Sequence, residues 1–216
     1  MTSKETSRLK SHLVILAFGV SVLAQTSHAY EIASEQNDNY WIEPEIIEEC
    51  LGDAREGLEK KKPRRAIPDA VYECIGIAAQ DCMDRMDYST YGMIMCFDAE
   101  TVFWDRMLDQ NYSDLAAWAE KIHGHVPPDD HAFKWTAPET LKKMQAEWRV
   151  YSEAVCRFRA SDYWRGTAAG PTRGACWMRR TAEQALKMER EILGTCSWQQ
   201  GSIIREICEA RGVAER

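Results

Sequence analysis

The sequence contains none of the short motifs that mark common catalytic machines. It lacks the Gly-x-Ser-x-Gly nucleophile elbow, the His-Glu-x-x-His zinc helix, the phosphate-cradling P-loop and the Gly-x-Gly-x-x-Gly dinucleotide fingerprint. Histidine is scarce: there are five, and His12 and His28 fall in the first 29 residues. A Ser–His or Cys–His catalytic pair therefore has few members to draw on. No Cys-x-x-Cys occurs, which removes the usual redox pair and the four-cysteine zinc site. Positive charge is in deficit, with 27 Lys and Arg against 34 Asp and Glu and a net charge of −7. Nucleic-acid phosphates demand the opposite balance. No run of alternating apolar and polar residues with hairpin turns is present, nor any internal repeat. These absences predict a protein that is not an enzyme, carries no cofactor and does not bind nucleic acid. An acidic surface suits a basic protein partner, drawn in by long-range attraction.

What is present begins with a secretory pattern. Lys4, Arg8 and Lys10 precede an apolar run of 12 residues, Leu13 to Ala24, and Ser27-His28-Ala29 offers small residues at the cleavage positions. Residues 1–29 read as a signal peptide, cut before Tyr30, and residues 30–42 as a flexible polar segment. The run is shorter than the ~20 residues of a membrane-spanning helix, and no later stretch reaches that length. Removing these 29 residues, three basic and one acidic, takes the net charge from −7 to −9. The expected compartment is the periplasm or the exterior.

All eight cysteines lie beyond residue 29. An even count on an exported chain reads as four disulfides, although eight cysteines allow 105 pairings. Neighbours in the chain suggest Cys50–Cys74, Cys82–Cys96, Cys156–Cys176 and Cys196–Cys208.

Helical periodicity fills most of the remainder. Glu43-Pro44 opens a helix with Ile46, Cys50, Ala54 and Leu58 on its buried side. The basic stretch Lys60 to Arg65, broken by Pro63, reads as a solvated connection. A second helix starts at Pro68-Asp69, with Tyr72, Ile75, Ala79 and Cys82 on one face. The longest runs from Tyr91 to Ile122, its core stripe being Phe97, Thr101, Trp104, Leu108, Tyr112, Leu115 and Ala119. Trp104 and Trp118 read as core anchors rather than sugar platforms. Adjacent carboxylates such as Glu48/Glu49 and Asp129/Asp130 read as solvated. His123, His125 and His131 cluster beside Asp129 and Asp130, types that ligate zinc, copper or nickel. Gly124 and two prolines make that stretch a loop without the rigid spacing of a metal site, so it stands as a weak metal candidate only.

Thr136 and Glu139 form a capping box that starts the organising helical hairpin. Leu141, Met144, Trp148, Tyr151, Val155 and Phe158 make one apolar stripe. Trp177, Thr181, Ala185, Met188 and Ile192 make the next. Between them lies a Gly/Thr/Pro-rich break, Ser161 to Gly174, closed by Cys156 and Cys176. Asp162, Tyr163, Trp164, Arg165, Gly166 and Thr167 in this break carry aromatic rings and charge on a closed loop. They are the candidate partner-binding residues. A last helix spans about 198–211.

The ordered pieces CIGIAAQDC (Cys74–Cys82), STYGMIMC (Ser89–Cys96), WDRMLDQNYSDL (Trp104–Leu115), LKKMQAEWRVYSEAVC (Leu141–Cys156), RGTAAGP (Arg165–Pro171) and CWMRRTAEQAL (Cys176–Leu186) resemble the LprI-type lysozyme-inhibitor family. The resemblance covers about Ile46 to Ile192. It implies a small, disulfide-tied helical domain of the periplasm or cell surface. The chain departs from the family pattern at Leu108-Asp109, where Leu-Asn is usual. It departs again at Ser152-Glu153, where Arg precedes the acidic residue, and at Gln184, where Arg is common.

The combined expectation is an all-α, disulfide-stapled bundle of about six helices in a single domain over 43–212. The residues and the resemblance together imply a non-enzymatic binding protein, with inhibition of a basic lysozyme as the first reading. An envelope scaffolding module is the alternative, and metal binding through His123–His131 a weaker third.

Overall fold

The structure is a computed structural model that describes residues 40–59, 69–123, 136–196 and 205–211. These form six α-helices and one 3-10 helix, with no strand among the described residues. They are α1 (Pro44–Glu59), the 3-10 helix (Asp69–Cys74), α2 (Ile77–Arg85), α3 (Thr90–His123), α4 (Ala137–Ser161), α5 (Ala169–Cys196) and α6 (Arg205–Ala210). The signal-peptide stretch, the basic stretch Lys60–Arg65, and His125 and His131 lie outside the described residues, as does the first part of the last helix.

The architecture is built on α3 and α5, whose mutual contact is the most extensive in the molecule. At 34 residues α3 is about 50 Å long. Thr101, Trp104, Leu108, Leu115 and Ala119 are buried along it, with Phe97 and Tyr112 half-buried. From α5 come Met178, Ala182, Ala185, Leu186, Met188 and Ile192. Trp104 is fully buried, as a core anchor should be.

Four disulfides join successive elements: Cys50–Cys74 ties α1 to the 3-10 helix, Cys82–Cys96 α2 to α3, Cys156–Cys176 α4 to α5, and Cys196–Cys208 α5 to α6. Ion pairs supplement them. Arg55 of α1 grips Glu189 of α5 through both carboxylate oxygens, at 2.7 and 2.9 Å. Arg211, just past α6, donates to Asp114 of α3.

Several expectations are corrected. On α1 the deepest residues are Ile47 and Leu51, so the buried face is turned one residue from the expected one. Of the segment expected to be flexible, only Tyr40 to Ile42 fall among the described residues, and they touch the fold. Tyr40 donates to Asp87 at 3.0 Å, and Arg85 lies 4.0 Å over the Trp41 ring. The single helix expected from Asp69 is two elements, because Gly76 sits at φ 98°, a left-handed conformation that glycine adopts without steric cost.

That break exposes the N-terminus of α2, and Glu100 fills it. Its two carboxylate oxygens accept from Gly76 N and Ala79 N, both at 2.7 Å, and Trp104 Nε1 donates to it at 2.8 Å. A buried carboxylate is tolerable here because it meets free N–H groups at the positive end of a helix.

The start of α5 also moves. The break expected over Ser161 to Gly174 is a turn over 162–168 only, and α5 begins at Ala169. Pro171 costs nothing in a first turn, where its missing N–H has no partner to lose. Gly170 allows close approach, since a Cβ there would lie 2.7 Å from Ile94 Cδ1 of α3 and that side-chain end would have to shift.

Candidate functional site

The helix α4 starts on Thr136, whose Oγ1 accepts from Glu139 N at 3.3 Å. Glu139 answers through its carboxylate, which accepts from the Thr136 hydroxyl at 2.8 Å rather than from the backbone N–H of the expected box. The rotation of α4 also differs from expectation. Ser152 and Cys156 are its buried residues, whereas Leu141, Trp148 and Val155 are half-buried. Met144, Tyr151 and Phe158 are 45%, 61% and 75% exposed. The disulfide supplies the reason. Cys156 must face Cys176, and the small Ser152, one turn earlier, lets α4 approach its neighbours on that side. The apolar stripe is thereby turned to the flank of the contact, with only one of its edges covered.

At the end of α4 the chain turns over 162–168 into α5. Asp162, Tyr163, Trp164, Arg165, Gly166 and Thr167 are all exposed, with Trp164 at 72%. The structure brings these six residues together on one turn. Backbone bonds hold it: Tyr163 N donates to Ala160 O at 3.1 Å, Trp164 N to Ser161 O at 3.1 Å and Gly166 N to Tyr163 O at 2.7 Å. Arg165 has φ 58°, the only non-glycine residue at positive φ among those described. That conformation is costly for a side chain with a Cβ, of order 1–2 kcal/mol. Its guanidinium carbon lies 5.3 Å from the centre of the Trp164 ring. An aromatic face and a cation are thus displayed side by side on a short ordered turn.

Charges support the base of the turn. Glu153 lies between Arg157 at 2.6 Å and Arg173 at 3.8 Å. Partial desolvation raises the carboxyl of Asp98 above its usual range on an otherwise exposed residue, and the Arg173 charge opposes this. Further along, burial and then the charge of Asp109 raise Asp105, against Arg149 of α4.

The positions that depart from the family pattern separate into two kinds. Ser152 is fully buried, with no hydrogen-bond partner for its Oγ among the described residues. Gln184 is buried and donates to Gln145 of α4 at 3.2 Å. Both act on packing between helices. Asp109 alone is exposed and open to a partner.

Of the weak metal candidates, His123 is the exposed last residue of α3. No group of three or more His, Cys, Asp or Glu among the described residues is placed to hold a metal ion. No described helix is long and apolar enough to cross a membrane. Sequence reasoning missed the exposed row on α4 and the backbone strain at Arg165. The row carried a signal, the seven-residue spacing of its members. The strain had none beyond the glycine next to it.

Residues 82–188 match the family described as lysozyme inhibitor LprI. The match begins at α2 and ends within α5, so it takes in the exposed turn and both cysteines beneath it. No curated protein and no solved structure matches the chain.

Proposed function

Because residues 82–188 belong to the LprI family, we propose that this chain is a non-enzymatic binding protein of the cell envelope that inhibits a lysozyme. Family membership is the observation that carries this reading. The four disulfides support an oxidising compartment, the periplasm or the exterior. The net charge of −7 supports a cationic target, since opposite charge raises the rate of encounter.

The turn over 162–168 is the part we assign to the cleft. A lysozyme cleft binds sugar rings and works through two carboxyl groups. In this reading the exposed Trp164 ring takes the place of a sugar, and the Arg165 guanidinium pairs with a cleft carboxylate. The Cys156–Cys176 bridge anchors the two helices that carry the turn, which lowers the ordering cost of binding.

The test is a cell-wall lysis assay with the oxidised chain and several lysozymes. Inhibition at about micromolar concentration is expected, an affinity of about −8 kcal/mol. Unimpaired lysis by all of them at that concentration removes the proposal. Trp164→Ala and Arg165→Glu are each expected to weaken inhibition about 10- to 100-fold, the range of a central interface residue.

A further inference from the structure

The row Met144, Tyr151 and Phe158 on α4 is not used by the turn. We infer that α4 is the contact helix of a two-fold homodimer. It runs antiparallel to α4 of a second copy, with the axis beside Tyr151. Phe158 of each copy sits in the groove between α4 and α5 of the other.

The geometry of the row is the first argument. Its members are spaced by seven residues, and a straight helix drifts only about 20° over that interval. The three side chains therefore lie along one line about 21 Å long. Another helix matches such a line along its whole length.

The second argument is self-complementarity. At the Met144 end, α4 and α5 flank a shallow, open groove of about 530 Å³, lined by Met144, Trp148 and Tyr151 with Thr140, Lys143 and Glu147 from α4, and by Arg180 and Gln184 from α5. At the opposite end stands Phe158, 75% exposed. Met144 and Phe158 are each seven residues from Tyr151. A two-fold axis at Tyr151 therefore brings the projecting ring of each copy to the groove of the other, twice over. A closed isologous contact requires this arrangement.

Charge is the third argument. Among the groove's own lining, Lys143 lies 3.8 Å from Glu147, and Arg180 lies 3.7 Å from Glu183. The rim is internally paired and offers no net charge to a charged partner. The helix as a whole carries five basic and three acidic residues in a chain of net charge −7. The excess negative charge of the chain therefore lies away from this face and is not concentrated at the contact. Met144, Tyr151 and Phe158, at 45%, 61% and 75% exposure, together offer on the order of 400 Å² per copy, since a large aromatic side chain presents about 150–250 Å². A standard interface buries about 800 Å² per partner, so the dimer is a reversible one.

Sedimentation velocity on the oxidised chain, over a concentration series at low and high salt, tests this. A monomer–dimer equilibrium at about 1–100 μM is expected. It should tighten with salt, because screening relieves repulsion between like-charged copies. Met144→Glu and Phe158→Lys should each weaken it about 100-fold. The double variant should regain most of the loss, because the two substituted positions face each other across the axis. Unchanged far-ultraviolet circular dichroism shows that the variants remain folded. A monomer throughout the range overturns the inference, as does a double variant weaker than either single one. A monomer that co-sediments with anionic phospholipid vesicles, or one whose lysozyme inhibition is lost with Phe158→Lys, gives the row another occupant and also overturns it. Failure of inhibition by the unsubstituted chain bears on the proposed function alone.

Discussion

The helices α3 and α4 carry the same kind of sequence signal and meet opposite fates. Each has large apolar residues at steps of three and four. On α3 that stripe is the core: Trp104 and Leu108 are at 0% and 1% exposure. On α4, half of the stripe faces out, and the buried positions are Ser152 and Cys156. The difference lies in the surroundings. The helix α3 is packed by α2, α4 and α5, so a wide face is covered. The helix α4 lies at the margin, packed chiefly by α3 and α5 among the described helices and bridged to α5 by Cys156–Cys176. Periodicity reports that a helix has an apolar face. How much of it is covered depends on the number of neighbours.

The largest expected effects lie on α3. Trp104→Ala should cost about 3–5 kcal/mol in urea unfolding, because it opens a cavity and removes one donor from Glu100. Tyr151→Ala on α4, 61% exposed, should stay within about 0.5 kcal/mol for the monomer. Equal losses at the two sites would break the comparison. Replacing Cys156 and Cys176 together by Ser should cost about 3 kcal/mol, as loop entropy predicts for a separation of 20 residues. If the bridge sets the rotation of α4, hydrogen exchange in that variant should rise in α4 and leave α3 protected.

Smaller effects sharpen the contrast. Arg165→Gly should stabilise the chain by about 1 kcal/mol by relieving the strain at φ 58°, while weakening inhibition. A variant that gains stability and keeps full inhibition would show that the guanidinium is not used. The smallest effect concerns Asp105, between the two helices. Its folded-state pKa is raised by burial and then by Asp109, so the folded state holds the proton more tightly than the unfolded state. The resulting cost is present at neutral pH and is relieved as pH falls through the folded value towards 3.8. Asp105→Asn should therefore raise the melting temperature slightly at pH 7, and the gain should fade on acidification.

Much of the fold was legible. The stapled all-α class and α3, expected over Tyr91–Ile122 and found at Thr90–His123, could be read from long sustained periodicity. The break at Gly76 was not legible. A glycine within a helical pattern is ambiguous until Glu100, 24 residues later, is seen to cap the N-terminus of α2. The early start of α5 was hidden because Gly170 and Pro171 read as a loop. Here they provide close approach and a tolerated first turn. For the site, composition picked out residues 162–167, and the structure shows them together and exposed. The outward rotation of α4 was concealed because it depends on where Cys156 points.

The bridges have a consequence for biogenesis. Each closes before the next begins, with sequence separations of 24, 14, 20 and 12, and none is nested or crossed. A chain emerging N-terminus first into an oxidising space can close each loop as its second thiol arrives. An oxidant that couples thiols in order of appearance is sufficient, and no shuffling enzyme is required to reach this connectivity.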